Sequence, residues 1–84
     1  MQIGNAAAGT EIDYLRYLDN KLRKAMRSSL LHGRPELAVK LDTARDAIEA
    51  VLAESDPTAT RVAVARARAE IALEVWRERT ELLH

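Results

Sequence analysis

The chain has 84 residues, with 13 Lys or Arg against 13 Asp or Glu and no cysteine. Balanced charge removes the basic excess common among nucleic-acid binders, and the missing thiols exclude disulfides, thiolate chemistry and a small secreted disulfide scaffold. Hydrophobic residues make up 48% of the chain, yet the aromatics are only Tyr14, Tyr17 and Trp76 and there is no phenylalanine, so alanine carries much of the apolar count. Alanine buries little area, so a single domain of this size gains little at about 25 cal/mol per Å² of apolar surface, and burial against another subunit would supplement it. No apolar run approaches the roughly 18 residues of a membrane span, and the opening residues lack the layout of a signal peptide. The expected class is therefore soluble and cytoplasmic, with no membrane partner.

Residues 1–9 are small and polar with no period and read as a disordered lead-in. The single helical domain is expected over 10–84. Thr10-Glu11-Ile12-Asp13 resembles a capping box with Asp in the place of the usual Glu, and it opens a helix over about 10–32. Its stripe, Leu15, Leu18, Leu22, Ala25, Met26, Ser29 and Leu30, recurs at three and four, while the acidic residues are expected off it. The helix should stop at Leu31-His32-Gly33-Arg34-Pro35, where glycine supplies a left-handed closing residue and proline disfavours helix before it.

Pro35 begins a second helix over about 35–54, with Leu37, Leu41, Ala44, Ile48, Val51 and Leu52 inside and Lys40, Asp42, Asp46 and Glu49 outside. Ser55 and Asp56 then precede Pro57, a pattern that places a side-chain cap before a proline at the first helical position. The third helix should run over 57–83, about 27 residues and about 40 Å long. Short connections favour antiparallel neighbours, so the predicted fold is all-α: an antiparallel three-helix bundle, or helical hairpin with a long C-terminal helix, in an oligomeric assembly.

The third helix carries apolar residues on two faces. Val62, Ala65, Ala69, Ala72 and Trp76 share one, and Val64, Ala67, Ile71, Val75 and Leu82 share the other. A helix of that kind wants neighbours on both sides. The small residues Ala63, Ala65, Ala67 and Ala69 would admit a close helix, and an end longer than the second helix would overhang unless the first helix or another subunit covers it. The function expected on this basis is a non-enzymatic protein–protein interaction module, an adaptor, chaperone-like protein or assembly subunit. Its partner-binding residues would be Val64, Ile71, Val75, Trp76, Leu82 and Leu83, and its partner a second copy, as in a homodimer, or another helical protein. For Trp76 a place in the core against Leu15 or Leu18 is the competing reading.

Other constellations compete less well. Lys21, Arg23, Lys24 and Arg27 could grip phosphates, which makes a small nucleic-acid-binding regulator the alternative, although cations near a helix C-terminus also simply oppose its dipole. Arg61, Arg66 and Arg68 are followed by Glu70 and Glu74, a mixture typical of a solvated face. Glu81-Leu82-Leu83-His84 has the Glu-x-x-His spacing of carboxylate-bridged metal bundles, but the second such motif that these sites need is missing, so no metal is expected. No nucleophile, base or glycine-rich loop assembles, and neither enzyme activity nor a cofactor is expected.

Two stretches carry resemblances. The turn at Ser55-Asp56-Pro57 resembles the one that joins the helices of type III secretion needle subunits, which are of similar size. That likeness implies a small helical subunit or co-chaperone of a secretion apparatus, though the further break at Gly33-Arg34-Pro35 departs from a two-helix needle subunit. His32-Gly33-Arg34-Pro35 with Arg45-Asp46 is similar over about fifteen residues to a segment of helical chorismate mutases. Aspartate stands there in place of the paired glutamate, and the long first helix with its lysine and the C-terminal glutamine of that family are missing.

Overall fold

The computed structural model of the chain describes residues 5–81. It contains three helices, α1 (Gly9–Leu31), α2 (Pro35–Leu52) and α3 (Ala59–Glu81). The start of α3 bonds to Asn5, just before α1, while Thr80 near its end lines a cleft with Ser28 and Ser29 near the end of α1. The third helix therefore runs alongside the first and opposite to the second, an up-down-up arrangement in which every pair of helices is in contact.

Each boundary follows from local chemistry. Helix α1 begins one residue earlier than Thr10 would place it. The residue before its first turn is Ala8, which has no side chain to cap with, and the Glu11 carboxylate accepts the Ala8 N–H at 3.3 Å instead. At the other end Gly33 takes φ 69°, the Arg34 N–H reaches the Ser29 carbonyl at 2.7 Å, and the Gly33 N–H reaches Leu30 at 3.2 Å. This crossed pair of bonds closes the helix and satisfies carbonyls that would otherwise face nothing. Pro35 then stands as the first residue of α2.

The third helix starts two residues later than the Ser55-Asp56-Pro57 pattern predicts. Thr58 is the capping residue: its Oγ1 accepts the Arg61 N–H at 3.2 Å. The cause lies in the N-terminal segment. Residues 5–7, expected within a disordered lead-in, are paired in the structure, with Ala6 in an antiparallel bridge to Thr58. The Ala7 N–H donates to the Pro57 carbonyl at 3.0 Å and the Ala59 N–H donates to Asn5 at 2.6 Å. Pro57 and Thr58 are thereby held out of the helix.

The core lies mainly between α1 and α2. From α1 it takes Leu15, Leu18, Leu22 and Ala25, and from α2 Leu41, Ala44, Ile48 and Val51. What α3 adds is small: Val62, Ala65 and Ala69 are buried, and Ala72, Leu73 and Trp76 pack partly against the cluster. Two positions of the expected stripes differ. Leu30 is exposed, because Ser29 continues the row of Ala25 and turns its hydroxyl onto the Ala25 carbonyl at 2.9 Å, leaving Leu30 on the edge row of half-buried Met26. Asp19, expected on the outside, is 8% exposed. It stands four residues after Leu15 and three before Leu22, so the helical period carries it inward.

Candidate functional site

The two apolar faces of α3 meet different fates. The face of Val62, Ala65 and Ala69 is sealed against α1 and α2, while Val64 stays 48% and Ile71 65% exposed, with Val75 half-buried beside them. The alanine row is divided in the same way. Ala65 and Ala69 let α3 approach its own partners, whereas Ala67 faces solvent and Ala63 is half-buried.

Beside the exposed face runs a furrow between α2 and α3. Its first part, an open cleft of about 340 Å³, is walled by Ala47, Ala50 and Val51 on α2 and by Arg61, Val64 and Arg68 on α3. The second part, about 360 Å³, has Lys40, Thr43 and Ala44 on one side and Arg68, Ile71 and Val75 on the other. Arg68 lines both, so the two depressions adjoin at Arg68. Among the described residues, the walls contain three cations, Lys40, Arg61 and Arg68, and no carboxylate. Arg61 is tied off at the end of the furrow by Glu54, with Nε and Nη2 at 2.8 and 2.6 Å from one carboxylate oxygen. Among the described residues, Lys40 and Arg68 have no ion-pair partner.

Trp76 stands between the core and the surface. It is half-buried against the core, and it also lines two surface depressions. One lies between α1 and α3 beside Tyr14, Tyr17 and Lys21. The other, about 180 Å³, is at the end of the bundle beside Ser29, His32, Arg34 and Leu37. The C-terminal part of α3 does not hang free as far as Glu81, because α1 is equally long, 23 residues against 23, and runs beside it. Leu82 and Leu83, and the His84 of the Glu-x-x-His motif, lie outside the described residues. Among those described, no group of three or more His, Asp or Glu side chains is placed to hold a metal ion, and no helix is long and apolar enough to cross a membrane.

The basic run of α1 is dispersed. Lys21 sits 5.3 Å from the centre of the Tyr17 ring, on the side of α3, while Arg23 turns the other way to Asp19 at 3.8 Å. Lys24 and Arg27 are exposed. Among the described residues, the acidic side chains of α2 form no ion pair with these cations. Instead Arg45 of α2 reaches Asp19 at 3.4 Å and Glu49 at 2.7 Å. Asp46, next to Arg45 in sequence, is exposed and takes no part.

This Asp19 and Arg45 cluster is the feature that sequence reasoning missed. Asp19 Oδ1 and Arg45 Nε are buried and close, yet not aligned for a hydrogen bond, so the attraction between them is chiefly Coulombic. A second polar tie joins α1 to α3. The Tyr14 hydroxyl donates to Glu70 at 2.8 Å, and this bond to a carboxylate, with lesser help from desolvation, holds the phenol pKa above its ordinary value. Its ring stacks on Tyr17 at 5.9 Å between centroids.

Comparison of the chain with protein-family models, with curated proteins and with solved structures finds no significant match.

Proposed function

We propose that the protein is a non-enzymatic interaction module that receives a helix in the furrow between α2 and α3. The observation that carries the reading is the outward apolar face of α3. Val64 and Ile71 are large aliphatic residues left open beside a cleft walled by alanines, and burying such side chains on association is favourable by about 1.5–3 kcal/mol each. A partner's helix laid between α2 and α3 would bring the number of packed helices to four, as in common bundles, and small residues on the walls permit close approach. Val75 continues the same strip, and Trp76 anchors the neighbouring side of α3.

The test compares the wild type with the double variant Val64→Ser, Ile71→Asn, each isolated gently from the native cell and weighed as an intact complex. The wild type is expected to emerge with a bound helical protein or a second copy, and the variant to emerge alone with its helical circular dichroism unchanged. A wild type that emerges only as a monomer, or a variant that keeps its partner, would defeat the reading.

A further inference from the structure

The chemistry of the furrow says more about its occupant than that it is helical. In a chain whose charges balance, the described residues walling these depressions include Lys40, Arg61 and Arg68 and not a single carboxylate. Glu54 neutralises Arg61 at the end, which leaves Lys40 on the α2 wall and Arg68 on the α3 wall facing each other across the same cleft. Between and beside them the surface is aliphatic, made by Ala44, Ala47, Val64, Ile71 and Val75. A seated helix would press an apolar stripe onto that floor and bring the residues on both edges of its stripe within reach of a cation. We infer that the furrow between α2 and α3 docks an amphipathic helix whose apolar stripe is bordered on both sides by acidic residues. This rests on the function proposed above and narrows it to one class of partner.

The same arrangement disfavours the other simple occupant, a second copy of the chain. A two-fold pairing of furrow on furrow sets the symmetry axis near the place where its two depressions adjoin, and Arg68 stands there. Arg68 would be set beside its own image in a partly desolvated contact, and like charges so placed oppose association. Nor do the cations make a phosphate track. They are two, on opposite walls, with branched aliphatic side chains between them, whereas a nucleic-acid backbone is held by a run of cations along one line.

The decisive experiment titrates the full chain with two synthetic amphipathic peptides, each with leucine at the a and d heptad positions. One carries glutamate and the other lysine at e and g, so that each repels itself and stays monomeric. The glutamate peptide is expected to bind the wild type about tenfold or more tightly than the lysine peptide, with the difference shrinking as salt is raised. The double variant Lys40→Glu, Arg68→Glu should invert that preference, and Val64→Ser, Ile71→Asn should abolish binding of both. Circular dichroism checks that each variant is folded, and all four positions are partly or wholly exposed. Equal binding of the two peptides, still lost in Val64→Ser, Ile71→Asn, would overturn the acidic partner while leaving the docking function standing. Failure of the glutamate peptide to bind would also overturn it, and the intact-complex measurement would then judge the docking function separately. A stable dimer in sedimentation that Ile71→Asn dissolves would overturn it in favour of a second copy.

Discussion

Asp19 and Tyr14 show how single side chains tie a small alanine-rich bundle together. Asp19 is one of the few polar groups inside, and its carboxylate stands between Arg23 on its own helix and Arg45 on α2. Removing one member of such a cluster leaves the others without compensation, while replacing the pair by apolar groups removes the demand altogether. Asp19→Ala is expected to lower stability in urea by about 1–3 kcal/mol, the lower end applying because Arg45 keeps Glu49 and some solvent. Asp19→Leu combined with Arg45→Leu should be close to neutral, and a loss for the pair as large as for the single change would refute this account. Tyr14 makes a prediction about pH. The protonated phenol is the donor to Glu70, and its pKa is raised in the folded protein. The contribution of the bond is therefore complete below the ordinary tyrosine value of about 10 and is lost as pH rises through the higher folded value. In a Tyr17→Phe background, the phenolate absorbance of Tyr14 should appear at lower pH once Glu70 is changed to Gln. No displacement would mean that the bond does not form in solution.

At the level of the helices, the ends and the small residues decide most. Thr58 caps α3, and Ser55 and Asp56, the residues that the sequence offers for that role, make no side-chain hydrogen bond among those described. Thr58→Ala is expected to cost about 1 kcal/mol of unfolding free energy. Ser55→Ala should stay within about 0.5 kcal/mol. The opposite order in a thermal or denaturant series would place the cap back at Ser55. The alanines of α3 divide in the same testable way. Ala69 is fully buried where α3 meets the α1 and α2 core, so Ala69→Leu should overpack it and destabilise by about 1–3 kcal/mol. Ala67 faces solvent, and Ala67→Leu should change stability by no more than about 0.5 kcal/mol. Equal penalties at the two positions would show that α3 is rotated from the orientation described.

For the whole molecule, the unequal contribution of the helices is what links fold to function. α1 and α2 supply nearly all the leucine and isoleucine of the core, and α3 closes it with Val62 and two alanines. The third helix therefore buries Val62, Ala65 and Ala69 and leaves Val64 and Ile71 outside, an exposure that burial within one chain does not explain and that the proposed docking would. The changes Val64→Ser and Ile71→Asn are accordingly expected to alter the unfolding free energy of the isolated chain by no more than about 0.5 kcal/mol each, because both side chains are largely exposed. A large loss in the isolated chain would mean that these residues stabilise the fold itself and would weaken the functional reading.

Much of this architecture is legible along the chain because helical period and helix-ending chemistry are local. Leu15, Leu18 and Leu22 declare the inner face of α1, Leu37, Leu41 and Ile48 that of α2, and Gly33 followed by Pro35 marks the break between them. The two apolar faces of α3 are legible for the same reason, since positions three and four apart must share a side. Which face is sealed and which left open is not local. It depends on where α1 and α2 stand, and only their placement puts Lys40 opposite Arg68 across one cleft, turns Asp19 toward Arg45, and lets residues 5–7 pull Pro57 and Thr58 out of the third helix. The sequence by itself determined an all-helical chain with three segments and a surplus of apolar surface on the last, because neighbours a few residues apart settle those features. The tertiary structure alone decided the furrow, its cations and its polar ties, because each is built from residues on different helices whose meeting no local pattern encodes.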